Sequence, residues 1–128
     1  MKQIKGIFLF LMSVVLVAFG SQDSKNPKNL VKKGGNEFIK ILNLGIEKHP
    51  NNIELHFWKR YFLYISYAKD FTEKQCLNLF NLYGSKNLIP YFFLYQCNNI
   101  KYEKQKNELL NTIQGKEIAK NLYIKSLL

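Results

Sequence analysis

Two cysteines are the residues of this chain whose type and spacing most directly suggest a reaction. Cys76 and Cys97 are its only cysteines. Their midpoint falls in a predicted turn at residues 85–87, so a helical hairpin about this turn places both side chains at the same height. Facing thiols can form a disulfide, which for a loop of this length contributes about 3 kcal/mol of stability. Two free buried thiols are the alternative interpretation.

The histidines and carboxylates form no recognised catalytic or metal-binding motif. His49 and His56 flank one turn, but two histidines are fewer ligands than a zinc site needs. Asp70 and Glu73 stand where a helix is predicted to start. Negative charge at that position interacts favourably with the helix dipole and stabilises the helix. We therefore interpret them as a helix start and not as an acid–base pair. The sequence predicts no catalytic residue, no metal and no cofactor, hence a protein that is not an enzyme.

Aromatic side chains offer a candidate binding groove. Such rings stack on sugars, bases or peptide side chains, and Lys59 and Arg60 lie beside them in the sequence. Core packing is the alternative, because aromatic rings dominate the area that cores bury. For Trp58 we predict a buried position in the core. The candidate groove residues are Trp58, Tyr61, Tyr64, Tyr91 and Tyr95.

The first twenty residues have the three parts of a secretory signal peptide. Lys2 and Lys5 form a positive start, residues 6–17 are mostly apolar, and residues 18–20 place small residues at the cleavage site. The apolar run is shorter than the roughly 20 residues of a spanning helix. We therefore predict cleavage before Ser21 and a periplasmic or extracellular protein, which the mass of the mature chain checks. The alternative is that the segment stays uncleaved and anchors the protein in the membrane. Because an exported protein leaves the compartment that holds nucleic acid, we predict no nucleic-acid partner.

The composition is strongly basic. The 128-residue chain has a formal net charge of +10. Such an excess favours association with anionic surfaces, including a peripheral contact with an anionic envelope surface. Lysines scattered over solvated helix faces give the same composition without any binding role.

Residues 21–35 are polar and are predicted to be a flexible linker.

From residue 36 onward the apolar residues recur at helical spacing, and no alternating strand pattern is long enough to predict a sheet. Thr72 and Gln75 fit a capping box before one of the helices. The fold class is therefore predicted as all-α, in a single domain at 36–128. The predicted helices run from 36 to a stop at 48–52, over 53–67, from 73 to a left-handed cap at Gly84, over about 90–97, over about 101–114 and over about 116–127.

An internal repeat supports a stacked arrangement of helix hairpins. A shift of 35 residues brings residues 42–44 onto 77–79 and residues 56–58 onto 91–93. Self-similarity at this period, with two helices per unit, is typical of helical solenoids. An irregular helical bundle with evenly spaced helices is the alternative.

The segment from residue 39 to residue 80 resembles the tetratricopeptide repeat family. Residues 44–52 match the end of a repeat helix with its Pro-Asn-Asn turn, and Trp58 and Tyr61 follow in the next helix. Lys59 and Arg60 depart from that family's pattern, in which a Leu-Gly pair is expected nearby. The resemblance implies short antiparallel hairpins in a small solenoid that binds peptides or proteins.

Together with the export signal, the resemblance implies an exported, non-catalytic protein-binding or assembly module with a protein or peptide partner. A small secreted enzyme or inhibitor with an unrecognised site is one alternative. A cationic envelope-associated factor is another, because the net charge is high.

Overall fold

The computed structural model of the chain describes residues 35–84 and 86–128, and in these residues it has six helices and no strand. The predicted all-α class is confirmed. The predicted signal peptide and residues 21–34 of the predicted linker lie outside the described residues. Gly35, the last residue of that linker, already belongs to the first helix. The helices are α1 Gly35–Lys48, α2 Ile53–Tyr67, α3 Glu73–Tyr83, α4 Tyr91–Cys97, α5 Glu103–Ile113 and α6 Ala119–Leu127.

Side-chain caps fix the starts of α2 and α3. The Asn52 side chain accepts a hydrogen bond from the Leu55 backbone N–H at 3.2 Å. At α3 the predicted capping box is confirmed. The Gln75 N–H donates to the Thr72 hydroxyl at 3.1 Å, and the Thr72 N–H donates to the Gln75 amide oxygen at 2.9 Å. Each bond satisfies a backbone donor that a helix start leaves unpaired.

The ends of these two helices differ from the prediction in one respect. Gly84 does end α3, with φ of 104° and ψ of 159°, an extended conformation with positive φ that only glycine adopts without strain. The left-handed helical cap predicted there instead occurs at Ala68 after α2, with φ of 54° and ψ of 31°. A left-handed alanine is disfavoured locally, so the α2–α3 connection is held by contacts around it.

The second helix supplies the centre of the hydrophobic core. Trp58 is fully buried, which confirms its predicted core position. Its ring centroid lies 5.5 Å from that of Phe92 on α4. Phe71, just before α3, stacks on Phe93 at 4.5 Å. Such tilted and stacked ring contacts stabilise the core beyond the apolar area that they bury, so the aromatic residues of α2 and α4 hold the hairpins together.

Helices adjacent in sequence pack against one another from α1 to α5. The last helix returns to α2, where the Tyr61 and Tyr123 hydroxyls are hydrogen-bonded at 2.7 Å. Burial, followed by this hydrogen bond, raises the pKa of Tyr61 far above its ordinary value. In a simple solenoid each repeat contacts only its neighbours. Because α6 contacts α2 across 62 residues, the solenoid arrangement stays a prediction.

Glu54 connects three parts of the fold. One carboxylate oxygen accepts hydrogen bonds from Trp58 Nε1 and Lys120 Nζ, each at 3.0 Å. The other oxygen accepts from Asn87 Nδ2 at 3.5 Å. The ion pair with Lys120 is largely shielded from solvent, since the two side chains are 20% and 13% exposed. Glu54 therefore links α2 to α6 and to the segment before α4.

Candidate binding groove

The five aromatic residues predicted to line a groove do not form one accessible surface. Trp58 and Tyr61 lie in the core, only 0% and 4% exposed, so their part in a ligand groove is corrected. They are covered because α4 and α6 pack over this face of α2. Tyr64 is exposed, and Tyr91 and Tyr95 are half-buried. Tyr91 stacks on a phenylalanine of α3, and Tyr95 lies beneath the ammonium of a lysine on α5.

A different groove opens between α2 and α3, with a volume of about 240 Å³. The two helices form an antiparallel hairpin, in which the first turn of α2 meets the last turn of α3. Here the rings of His56 and Tyr83 stack face to face, with centroids 3.9 Å apart and planes 8° from parallel. The groove is lined by His56, Lys59, Arg60, Gln75, Asn78, Leu79, Leu82 and Tyr83.

The imidazole ring of His56 is oriented by a hydrogen bond to the backbone. His56 Nε2 lies 2.8 Å from the Pro50 carbonyl oxygen. A carbonyl oxygen only accepts, so Nε2 carries the proton and donates it to this bond. The edge of the His56 ring is thus hydrogen-bonded to the Pro50 carbonyl oxygen, and its face stacks on the Tyr83 ring. His56 thus forms a rigid aromatic wall at one end of the groove.

The other end of the groove is cationic. The Arg60 guanidinium donates to the Asp70 carbonyl oxygen at 3.4 Å and lies 5.3 Å from the ring centroid of Phe71. The Lys59 ammonium makes no hydrogen bond or ion pair with residues 39–84 or 86–128. None of the eight lining residues is acidic. The groove therefore presents a positive charge that the described part of the chain does not neutralise.

The third helix contributes amides and an exposed leucine. The Gln75 amide oxygen is used by the capping box, so its NH₂ group is the part left to bond a ligand. Asn78 lines the groove one turn further on, and Leu82 lies another turn along, 61% exposed. An exposed leucine beside a cation and amide donors suits a ligand with both an apolar and an anionic group.

The sequence prediction missed this groove, although the pattern for it was present. Residues 75, 78, 79, 82 and 83 recur at three- and four-residue steps and therefore share one face of a helix. The aromatic density of α2 pointed instead to Trp58 and its neighbours. Nothing local shows that His56 meets Tyr83, since 27 residues separate them and the contact depends on the antiparallel hairpin.

The two cysteines are free thiols in the structure, so the predicted disulfide is not formed there. Cys76 is fully buried. Cys97 is exposed at the end of α4, which differs from the expectation that both side chains point into one apolar seam. Burial, and to a lesser extent the negative charge of a Cys97 thiolate, raises the pKa of Cys76 to about 12. The bond itself stays a prediction.

The other candidate residues have structural roles or are exposed. Glu73 begins α3, as predicted, and its carboxylate accepts hydrogen bonds from the Tyr102 hydroxyl at 2.8 Å and Lys101 Nζ at 3.4 Å. His49 and Asp70 are exposed. Within residues 35–84 and 86–128, no three histidine, cysteine or acidic side chains are grouped so that they could hold a metal ion. Nor does this part of the chain contain a helix with the length and apolar character to span a membrane.

Comparison with known proteins gave no relative: the chain matches no protein-family model, no curated protein and no solved structure at a significant level. The resemblance to tetratricopeptide repeats therefore rests on the sequence features alone, and the groove has to be interpreted from its own chemistry.

Proposed function

We propose that this chain is an exported, non-catalytic protein-binding or assembly module on a tetratricopeptide-like helical scaffold, with the α2–α3 groove as its binding site. The observation that carries the proposal is that the exposed Leu82 lines the same groove as Lys59, whose ammonium is not neutralised by any described residue. An apolar side chain and a charged side chain that line one groove can together anchor and orient a partner.

The lining of the groove supports binding over catalysis. General acid–base or nucleophilic chemistry needs a nucleophile held within hydrogen-bond reach of a base. The groove is lined by no carboxylate and no cysteine, and the Nε2 proton of His56 is engaged by the Pro50 carbonyl oxygen. Its remaining polar groups, which include the Gln75 NH₂, the Asn78 amide and the Lys59 ammonium, can orient a ligand through hydrogen bonds.

A second candidate function is that of a cationic envelope-associated factor. The net charge of +10 favours it, because anionic surfaces attract basic proteins without any shaped site. Such binding depends on total charge, falls steeply with salt and does not require Leu82. The two functions therefore differ in their sensitivity to substitutions in the groove.

Photo-cross-linking tests the proposed site in the full chain expressed in its own cells. With benzoylphenylalanine in place of Leu82, we expect one discrete adduct with a partner protein. An excess of the unmodified chain should suppress this adduct, because both compete for the same partner. Ile100 is the matched control position, since it is 88% exposed and lies outside the groove. Absence of any adduct at Leu82, or the same adducts at both positions, contradicts the proposal.

A further inference from the structure

The groove is divided into two ends about one helical turn apart. His56, Tyr83 and Leu82 form the aromatic and apolar end, where the start of α2 meets the end of α3. Lys59 and Arg60 follow His56 by three and four residues, which is one turn of α2, or about 5.4 Å along its axis. A ligand that uses both ends therefore carries an apolar and an anionic group at about this separation.

This separation matches the side chains of a helix. On a helix, residues three or four positions apart have Cβ atoms about 5–6 Å apart on one face. On an extended strand, neighbouring side chains point to opposite faces, and those two positions apart are roughly 7 Å apart. A helical ligand therefore meets both ends of the groove more closely than an extended one does.

The size of the groove fits side chains. Its volume of about 240 Å³ lies below the roughly 300–1,000 Å³ of sites that enclose a drug-sized molecule. A helix lying across the hairpin would thus insert one or two anchoring side chains, while its backbone stays outside. Helix-in-groove recognition works through such anchors.

Charge disfavours two occupants of the groove that this protein itself could supply. Residues 1–34 contain six lysines and one aspartate, so this segment is repelled by Lys59 and Arg60. A second copy of the chain carries the same net charge of +10. An acidic partner is attracted to the groove and gains an ion pair with Lys59, which no described residue neutralises.

We propose that the partner of the groove is an acidic amphipathic helix of another protein. One of its carboxylates pairs with Lys59, and a large apolar side chain one turn away packs on Leu82 and Tyr83. The proposal rests on the proposed function, because it specifies the partner of that same site.

A pair of fluorescein-labelled, alanine-based helical peptides tests this proposal by fluorescence anisotropy with the full chain. The first peptide carries glutamate and leucine four positions apart, on one face. The second has the same composition with the two residues two positions apart, on different faces. We expect the first to bind at least tenfold more tightly. Equal affinities, or no binding of the first peptide at millimolar concentration, overturn the proposal.

Variants of the groove provide the second part of the experiment. We expect Lys59→Glu and Leu82→Ser each to weaken binding of the first peptide about tenfold or more, which corresponds to roughly 1.4 kcal/mol. The controls are Lys104→Glu and Ile100→Ser, because both residues are exposed and neither lines the groove. Circular dichroism confirms that each variant is folded. Equal losses for Lys59→Glu and Lys104→Glu contradict the proposal and indicate attraction by net charge alone.

The identity of the protein that cross-links at Leu82 distinguishes failure of the acidic-helix proposal from failure of the proposed binding function. If the Leu82 adduct forms and maps to an acidic helical segment, both are supported. If it forms but persists in Lys59→Glu, or maps to a basic or extended segment, the acidic helix is wrong and the binding module stands. Binding of phosphatidylglycerol vesicles that is lost in Leu82→Ser would assign the groove to a membrane and overturn the proposal.

Discussion

Replacing Trp58 with alanine is expected to lower the free energy of unfolding by about 3–5 kcal/mol, the usual cost of removing a large aromatic side chain from a core. The indole is fully buried and packs against Phe57, Tyr61 and Phe92. Its Nε1 also donates to Glu54, which holds α6 through Lys120. For a domain of this size the loss corresponds to a melting temperature lower by at least about 12 °C.

Thermal and urea unfolding of three variants distinguishes the contribution of Trp58 packing to the free energy of unfolding from that of its hydrogen bond to Glu54. Trp58→Phe keeps an aromatic ring and removes the indole N–H, so we expect a smaller loss of about 1–3 kcal/mol. Ile100→Ala is the exposed control and should change stability by less than about 0.5 kcal/mol. If Trp58→Ala unfolds at the same temperature as the wild-type chain, the central position of Trp58 in the core is wrong.

The helices could be predicted from the sequence because their boundaries depend on local chemistry. The capping box of Thr72 and Gln75 is formed within four residues, and Pro50 cannot continue the preceding helix. Gly84 ends α3 through its own backbone freedom. For these helix boundaries the deciding interaction lies within a few residues of the position concerned. The core position of Trp58 is predicted from the aromatic density of its helix, although its burial also depends on Phe92 of α4.

The binding site could not be predicted in the same way, because it is produced by tertiary contacts. Tyr61 belongs to the aromatic cluster of α2, but α6 returns to cover it with Tyr123. His56 acquires its role only when the end of α3 brings Tyr83 onto its ring. Lys59 departs from the tetratricopeptide repeat pattern, and under the proposed function its place in the groove gives that departure a binding role.

The cysteines differ sharply in their exposure, and their reactivity should differ accordingly. Alkylating reagents react with the thiolate. With a pKa of about 12, Cys76 has only on the order of one thiolate in ten thousand molecules at pH 8, and it is fully buried as well. Partial shielding of the Cys97 thiol from solvent, and to a lesser extent the Glu73 carboxylate, also raises the pKa of Cys97, but the residue as a whole is exposed. Its alkylation should therefore accelerate as the pH rises from 7 to 9.

We therefore expect native, reduced protein at pH 8 to react with iodoacetamide at one thiol per chain, with Cys97 labelled at least about 100-fold faster than Cys76. Mass spectrometry of the intact chain counts the labels. Cys97→Ser should remove the fast reaction, whereas Cys76→Ser should keep it. Two rapid labels would show that Cys76 is accessible to the reagent and that its buried position is wrong.

The disulfide is tested by labelling protein that was purified without reductant and then denatured. Two labels per chain exclude the disulfide. No label shows that it forms, which requires the end of α4 to turn Cys97 inward toward Cys76.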